Sequence, residues 1–195
     1  MNQALEQLRS AITSDPDNAW AAEQGWEPLF TAHPDAEIVI VGQAPGRRAQ
    51  LSGIPWDDAS GVTLRNWLGV DDHTFYSPER VALLPMDFYY PGKGAHGDLP
   101  PRAGFATKWH PPALQQMPHV SLTLLIGQHA QRHYLHSTGK RTTTETVRTY
   151  HEYLPQHFPL VHPSPLNFRW QARNPWFADL VLPELKVRVA QALSR

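Results

Sequence analysis

The chain has 195 residues, 41% of them hydrophobic, with a formal net charge of −1 and no cysteine. This length supports one core of ordinary size, so we expect a single domain over residues 1–195. The absence of cysteine excludes disulfides, thiolate nucleophiles, cysteine-bound zinc and cysteine-held iron–sulfur clusters. No stretch approaches the ~20 apolar residues of a membrane span, and the first residues lack a signal-peptide pattern. We therefore expect a soluble, cytoplasmic protein.

Apolar periodicity predicts the secondary structure in chain order. Leu5 and Leu8 stand at helical spacing, which predicts a short N-terminal helix, and helix-start residues precede a second helix that begins near Ser60. Short apolar runs predict strands at 37–41, 81–84, 121–126 and 158–161, and further helices are expected from 127, over 142–154 and over 176–193. Residues 87–112 are rich in Gly, Pro and aromatic residues without a sustained period, which predicts a long ordered loop. Pro183 should kink the last helix or mark its first turn.

The strands at 37–41 and 121–126 are nearly continuous apolar runs, which is typical of a parallel sheet buried on both faces. We therefore predict an α/β fold: a three-layer α/β/α sandwich around a short, mainly parallel four-stranded sheet. Ligands of such sheets bind beyond the carboxyl ends of the strands. Two rigid segments rich in Pro and Gly lie there, Gly42–Gly46 and His162–Asn167. Their backbone amides can approach a phosphate or a planar base closely.

These segments resemble two motifs of the uracil-DNA glycosylase superfamily. Gly42–Gly46 is similar to the first motif, and His162–Leu166 matches the His-Pro-Ser-Pro-Leu form of the second. Gly53–Gly61 looks like the segment that carries a base-stacking aromatic and, in one thermophile-type branch, a water-activating aspartate. The resemblance covers roughly residues 37–180.

Residues 90–93 and 97–102 also resemble bacterial members of the branch that usually holds a four-iron cluster. Since this chain has no cysteine, such a cluster cannot be held in the usual way. We expect aromatic packing in this region, where Tyr89 and Phe105 lie, to replace the cluster as a clamp on the loop. We accordingly expect an activity that needs no metal and no other cofactor.

The resemblance implies a monofunctional DNA glycosylase that flips a deaminated base, uracil first among them, out of DNA and hydrolyses its bond to the sugar. Its partner would be DNA containing a damaged base, and we expect it to act as a monomer. Trp56 would stack on the base and Leu166 would fill the gap that the base leaves, while Ser164 would hold a phosphate. The complete base-binding set is Gln43, Ala44, Trp56 and Asp87, and the DNA-binding set is Pro45, Gly46, Ser164, Pro165, Leu166 and Arg169.

Cleavage of an N-glycosidic bond needs a donor to the departing base anion and a carboxylate beside the sugar. His162 is the candidate donor to the base carbonyl. Relatives often have an acid in the first motif, where this chain has Gln43 and Ala44. The water-activating role would therefore fall to Asp58, unless Asp57 takes it. Asp58 could instead act only as a helix cap.

Three further assignments have alternatives. An ionised Asp87 could accept the N–H of a base, or it could anchor its own loop. The spacing of His129, His133 and His136 would suit zinc or nickel, but solvent-exposed or packing histidines are the favoured interpretation. The basic residues of 140–173 could form a cationic face that engages phosphates, or they could be ordinary solvated surface charges; they are Lys140, Arg141, Arg148, Arg169 and Arg173.

Two alternative functions remain at this point. The first is a catalytically weak or inactive lesion-binding protein of the same fold, which the missing acid in the first motif favours. The second is a hydrolase of free nucleosides or nucleotides, which would need neither the Leu166 wedge nor a basic surface around Arg169 and Arg173.

Overall fold

A computed structural model describes residues 3–95, 97–135 and 141–194. Its main sheet is built from four strands, β1 (Ile38–Val41), β2 (Val81–Leu83), β5 (Leu122–Ile126) and β6 (His157–Leu160). All neighbouring pairs are parallel, in the order β2-β1-β5-β6. A separate antiparallel hairpin joins β3 (Lys93–Gly94) to β4 (Gly97–Asp98). The predicted strands are confirmed, and the main sheet is entirely parallel.

The sheet separates two hydrophobic cores because successive side chains of a strand point to opposite faces. Ile38 and Ile40 belong to one core, whereas Val39 and Val41 belong to the other. Helices cover both faces, which confirms the predicted three-layer α/β/α sandwich.

The helices divide between the two faces. On the face of Ile38, the core receives side chains from α4 (Ala59–Leu68), α5 (Asp72–Tyr76), α8 (Thr143–Arg148) and α10 (Leu182–Leu193). On the face of Val39 it receives them from α1 (Gln3–Thr13), α2 (Ala19–Glu23), α6 (Phe105–Leu114) and α7 (Gly127–Tyr134). Two short helices, α3 (Arg47–Ser52) and α9 (Phe168–Arg173), begin just after the two motif loops.

Two predicted segments differ clearly in the structure, whereas Pro183 agrees with one of the two expectations for it. Residues 105–114 form α6 rather than part of a loop, and the helix accommodates Pro111 and Pro112 in its last turns. The helix expected over 142–154 is divided into α8 and a short 3₁₀ segment, Tyr150–Tyr153. Pro183 lies in the first turn of α10, as one of the two expectations for it stated. One turn of π-helix, Phe177–Val181, directly precedes α10.

Among the described residues, no helix combines the length and apolar character that crossing a bilayer requires.

Candidate functional site

The carboxyl edge of the sheet contains a cavity of about 530 Å³. It lies between the two motif loops, as the sequence predicted for ligand sites in this fold. The candidate residues that line it are Gln43, Ala44, Pro45, Gly46, Trp56, Asp58, His162, Ser164 and Leu166. Residues from two distant parts of the chain therefore meet at one site.

The first motif loop is held by the segment that follows β2. The backbone N–H of Met86 donates to the carbonyl of Gly42 at 2.9 Å, and that of Asp87 donates to the carbonyl of Gln43 at 3.2 Å. The side-chain amide of Gln43 donates to the carbonyl of Leu99 at 3.1 Å. Backbone and side chain of the loop are both tied to neighbouring segments, so the cavity wall is fixed.

The backbone of Trp56 is strained, and this residue packs closely against two glycines, Gly42 and Gly61. Its φ of 57° lies in the left-handed region, which is costly for a bulky residue. Its carbonyl accepts hydrogen bonds from Arg65 at 3.4 Å and from the Tyr76 hydroxyl at 3.3 Å. A Cβ on Gly61 would lie 1.8 Å from that carbonyl oxygen, and one on Gly42 would lie 3.0 Å from Cζ2 of the indole. Only glycine at position 61 leaves room for Trp56 as it stands, and a side chain at position 42 would force the indole to shift by a few tenths of an ångström.

Asp58 lines the cavity and also caps α4. Its Oδ1 accepts a hydrogen bond from the backbone N–H of Gly61 at 2.8 Å. No described residue donates a hydrogen bond to its Oδ2. Asp57 does not line the cavity, and its carboxylate forms an ion pair with Arg48 at 3.1 Å. Of the two neighbouring carboxylates, Asp58 is therefore the one placed at the site.

His162 follows β6, and its ring lies beside that of Trp56 in the lining of the cavity. The two ring centroids are 5.9 Å apart, with 32° between the planes. The carbonyl of His162 accepts a hydrogen bond from the side chain of Asn167 at 2.7 Å, which fixes the start of the second loop. Desolvation by the surrounding protein lowers the pKa of His162 below its ordinary 6.5, while the charge of Asp58 acts in the opposite direction. The ring is therefore mainly neutral at pH 7, and a neutral imidazole can still donate a hydrogen bond.

The tip of the second loop presents apolar side chains to solvent. Leu166 is 85% exposed and Phe168 is 60% exposed. The Ser164 hydroxyl accepts a hydrogen bond from the backbone N–H of Leu166 at 3.2 Å, which holds this turn. Arg169 lies on the same tip, its guanidinium carbon 5.6 Å from the centre of the Phe168 ring. An exposed Leu at the rim of a cavity is the arrangement that a wedge into DNA needs.

The structure corrects the base-binding assignment of Asp87. This side chain is 0% exposed and does not line the cavity. Its carboxylate accepts two hydrogen bonds from the Arg102 guanidinium, at 2.7 and 2.8 Å, and further ones from the backbone N–H groups of Tyr89 and Arg102. Because every acceptor direction is used, a base has no access to it. The structure favours the alternative in which Asp87 anchors its loop.

Aromatic rings surround this buried ion pair. The Arg102 guanidinium lies 4.6 Å from the Phe105 ring centre and 5.5 Å from that of Tyr89. Tyr89 and Phe105 contact each other edge to face at 6.4 Å. The aromatic packing expected around these two residues is therefore present, with Arg102 at its centre.

Sequence reasoning missed two polar residues at the cavity, Ser60 and Asp98. Ser60 lies in the first turn of α4, and Asp98 is brought to the site by the β3–β4 hairpin. The hairpin sequence contains Gly97 at a φ of 112°, a turn signal that could have indicated a folded-back segment. The side chain of Asp98 accepts a hydrogen bond from the Tyr90 hydroxyl at 3.4 Å.

The histidines considered as metal ligands do not form a described metal site. Over the ranges 3–95, 97–135 and 141–194, no group of three or more His, Asp or Glu side chains is arranged to hold an ion. His129 lines a second cavity of about 370 Å³ beside the first, and burial followed by the charge of Arg132 lowers its pKa. His133 packs against the Tyr134 ring, and His136 lies outside the described residues.

A known protein family matches this chain over most of its length. The chain matches the family model described as the uracil DNA glycosylase superfamily over residues 30–186. This range contains the sheet, both motif loops and every lining residue of the cavity except Leu29. It covers far more than half of the chain, so the protein belongs to the uracil-DNA glycosylase superfamily.

Proposed function

We propose that the protein is a monofunctional DNA glycosylase that removes uracil from DNA, acting as a cytoplasmic monomer. One observation carries this proposal: Trp56, Asp58 and His162 line one cavity whose rim carries the exposed side chain of Leu166. A stacking ring, a carboxylate, a donor to the base and an apolar wedge are the parts that extraction and hydrolysis of a base require.

In the proposed reaction the base enters the cavity and stacks on the Trp56 indole. His162 donates a hydrogen bond to a carbonyl oxygen of the base, where negative charge develops as the bond to the sugar breaks. Asp58 takes a proton from a water molecule through Oδ2, and the water oxygen bonds to C1′ of the sugar. The base leaves with the bonding electron pair as an anion, which is protonated by solvent.

The second motif loop would engage the DNA around the extracted nucleotide. Leu166 fills the space in the duplex, while the Ser164 hydroxyl and the Arg169 guanidinium bind phosphates. Pro45, Gly46 and Pro165 shape the two loops so that their backbones lie close to the strand. Gln43 and Ala44 form the wall against which the base is held.

A second function, lesion binding without hydrolysis, is supported by a specific contact. Asp58 already accepts a hydrogen bond as the cap of α4, and the first motif carries Gln43 and Ala44 in place of an acid. The nucleotide-hydrolase interpretation is less well supported, because free nucleosides have no duplex for Leu166 to enter.

One substrate panel separates the three functions. We would incubate the protein with single- and double-stranded oligonucleotides carrying one uracil or one hypoxanthine, and with free deoxyuridine, and detect abasic sites and released base. A glycosylase produces abasic sites in uracil-containing DNA and leaves deoxyuridine intact. Binding of the uracil oligonucleotide without abasic sites would indicate the lesion-binding protein. Cleavage of deoxyuridine alone would indicate the nucleoside hydrolase.

A further inference from the structure

His110 is a buried titratable side chain on α6 that the proposed reaction does not use. It is 1% exposed. Its Nε2 lies 3.0 Å from the carbonyl oxygen of Pro85, and its Nδ1 lies 2.7 Å from the Tyr134 hydroxyl. Because a carbonyl can only accept, the ring proton lies on Nε2 and Tyr134 donates to Nδ1. Both ring nitrogens are therefore paired in one defined tautomer.

The surroundings of His110 fix the plane of its ring. It stacks on Phe88 with a centroid distance of 5.8 Å and 13° between the planes, and the edge of His133 lies at 6.0 Å. Burial lowers the pKa of His110 to about 4, an effect that His133 reinforces and the bond to Pro85 opposes. The ring is therefore neutral at pH 7 and keeps its contacts.

The peptide between Pro85 and Met86 is held from both sides. Its carbonyl accepts from His110, and its N–H donates to the carbonyl of Gly42 at 2.9 Å. The carbonyl and N–H of a trans peptide point in opposite directions, so these two bonds set the orientation of the whole plane. The next N–H along the chain bonds Gln43 at 3.2 Å. His110 and the first motif therefore hold opposite edges of one peptide through hydrogen bonds.

The contact continues from Gly42 into the cavity. A Cβ on Gly42 would come within 3.0 Å of Cζ2 of Trp56, so the indole rests directly on this backbone. Pro85 itself lines the same cavity. Small displacements of groups that position a substrate are costly, since about 1 Å can reduce a rate by 10²-fold.

We infer that His110, oriented by Tyr134, is a positioning residue of the base-binding cavity. It fixes the orientation of the peptide between Pro85 and Met86. This peptide in turn fixes the position of the Gly42 backbone against the Trp56 ring. The effect on catalysis rests on the proposed glycosylase function, whereas the effect on the backbone does not.

Three variants isolate the hydrogen bonds from the packing. His110→Phe keeps an aromatic ring on Phe88 but leaves the Pro85 carbonyl without its donor. His110→Gln offers an amide N–H at about the position of Nε2 and should restore much of the effect. Tyr134→Phe removes only the hydroxyl that orients the ring.

A matched control variant should lower the stability of the protein without changing the hydrogen bonds of His110. Val189 is 2% exposed on α10 and packs in the core on the opposite face of the sheet. Val189→Ala therefore shows what general destabilisation alone does to each measurement.

The first measurement is hydrogen exchange of the segment 84–88, followed by mass spectrometry. We expect its amides to exchange about tenfold faster or more in His110→Phe than in Val189→Ala, and His110→Gln to return most of the protection. Equal exchange in His110→Phe and the control would overturn the inference. This result does not depend on whether the protein cleaves DNA.

The second measurement is a double-mutant cycle with Trp56→Ala, using single-turnover cleavage of a uracil-containing duplex at a temperature where all variants are folded. His110→Phe should slow the wild-type reaction about tenfold or more, but the Trp56→Ala reaction by less than about threefold. If His110→Phe slowed the wild-type and the Trp56→Ala reactions by the same factor, the coupling through Gly42 would be contradicted. A wild-type protein that releases no uracil would instead contradict the proposed function, and hydrogen exchange would still decide the positioning role.

Discussion

Replacing Asp58 separates its structural role from its proposed catalytic role. Oδ1 caps α4 through the backbone N–H of Gly61 at 2.8 Å, while Oδ2 is proposed to take the proton of water. Asparagine keeps an oxygen that can accept the capping bond but carries no negative charge. Alanine removes both the cap and the charge.

The capping bond sets the expected effect on stability. Loss of an N-cap oxygen costs about 1 kcal/mol, within a range of roughly 0.5–2 kcal/mol, whereas asparagine caps about as well as aspartate. Asp58→Ala should therefore lower the free energy of unfolding by about 1 kcal/mol, and Asp58→Asn should leave it nearly unchanged. Both variants should slow cleavage about tenfold or more, which corresponds to about 1.4 kcal/mol or more in the barrier.

Two assays measure these effects separately. Urea denaturation gives the free energy of unfolding, and single-turnover cleavage of a duplex with one uracil gives the rate of the chemical step. Fluorescence anisotropy checks that lesion binding is nearly intact in Asp58→Asn. The control is Asp57→Asn, because Asp57 pairs with the exposed Arg48 and such surface pairs contribute about 0–1 kcal/mol. Its cleavage rate should equal that of the wild type.

An unchanged cleavage rate in Asp58→Asn would refute the catalytic role. If Asp58→Ala were then destabilised by about 1 kcal/mol, Asp58 would be a helix cap and nothing more. A slow Asp57→Asn with a normal Asp58→Asn would transfer the role to the neighbouring carboxylate.

Three further predictions concern the second loop and the buried contacts. Leu166→Ala should slow cleavage of duplex DNA more than cleavage of single strands, because the bases of single strands are already largely unstacked. Equal slowing of both substrates, in rate assays at one salt concentration, would exclude a wedge. Gly61→Ala should lower the free energy of unfolding by about 1–3 kcal/mol, because the new Cβ would lie 1.8 Å from the Trp56 carbonyl oxygen, and unchanged urea denaturation would contradict this. His110 has a folded-state pKa of about 4 against an ordinary 6.5, so the unfolded chain binds its proton first as the pH falls. The contribution of neutral His110 to the free energy of unfolding should therefore be fully present above pH 6.5 and decrease by about 3 kcal/mol towards pH 4. Denaturation of His110→Phe should not show this decrease to the same extent.

The sheet and the location of the cavity could be predicted because local patterns encode them. The runs Ile38–Val41 and Leu122–Ile126 are apolar on both faces, and each motif loop follows a strand directly. Parallel strands bring their carboxyl ends to one edge, so two distant loops had to be neighbours. The family resemblance then supplied roles for Trp56 and His162.

One error comes from a contact that no local pattern reveals, and another from a local signal that two prolines obscured. Asp87 and Arg102 are separated by a hairpin, and only the folded chain shows that the guanidinium and two backbone N–H groups together occupy the carboxylate. Pro111 and Pro112 concealed α6, since proline usually interrupts a helix. A helical period was present in the buried positions of this segment, Phe105, Ala106, His110 and Ala113. That period was the available signal for the helix that carries His110.

The central claim is that the protein hydrolyses the bond between uracil and deoxyribose in DNA. The most direct test is to identify the products formed by the wild-type protein from a duplex with one uracil, by mass spectrometry of the released base and by counting abasic sites. A monofunctional glycosylase yields free uracil and abasic sites in equal amounts, with the strand intact until alkali is added. Absence of free uracil, or strand scission before alkali, would contradict it.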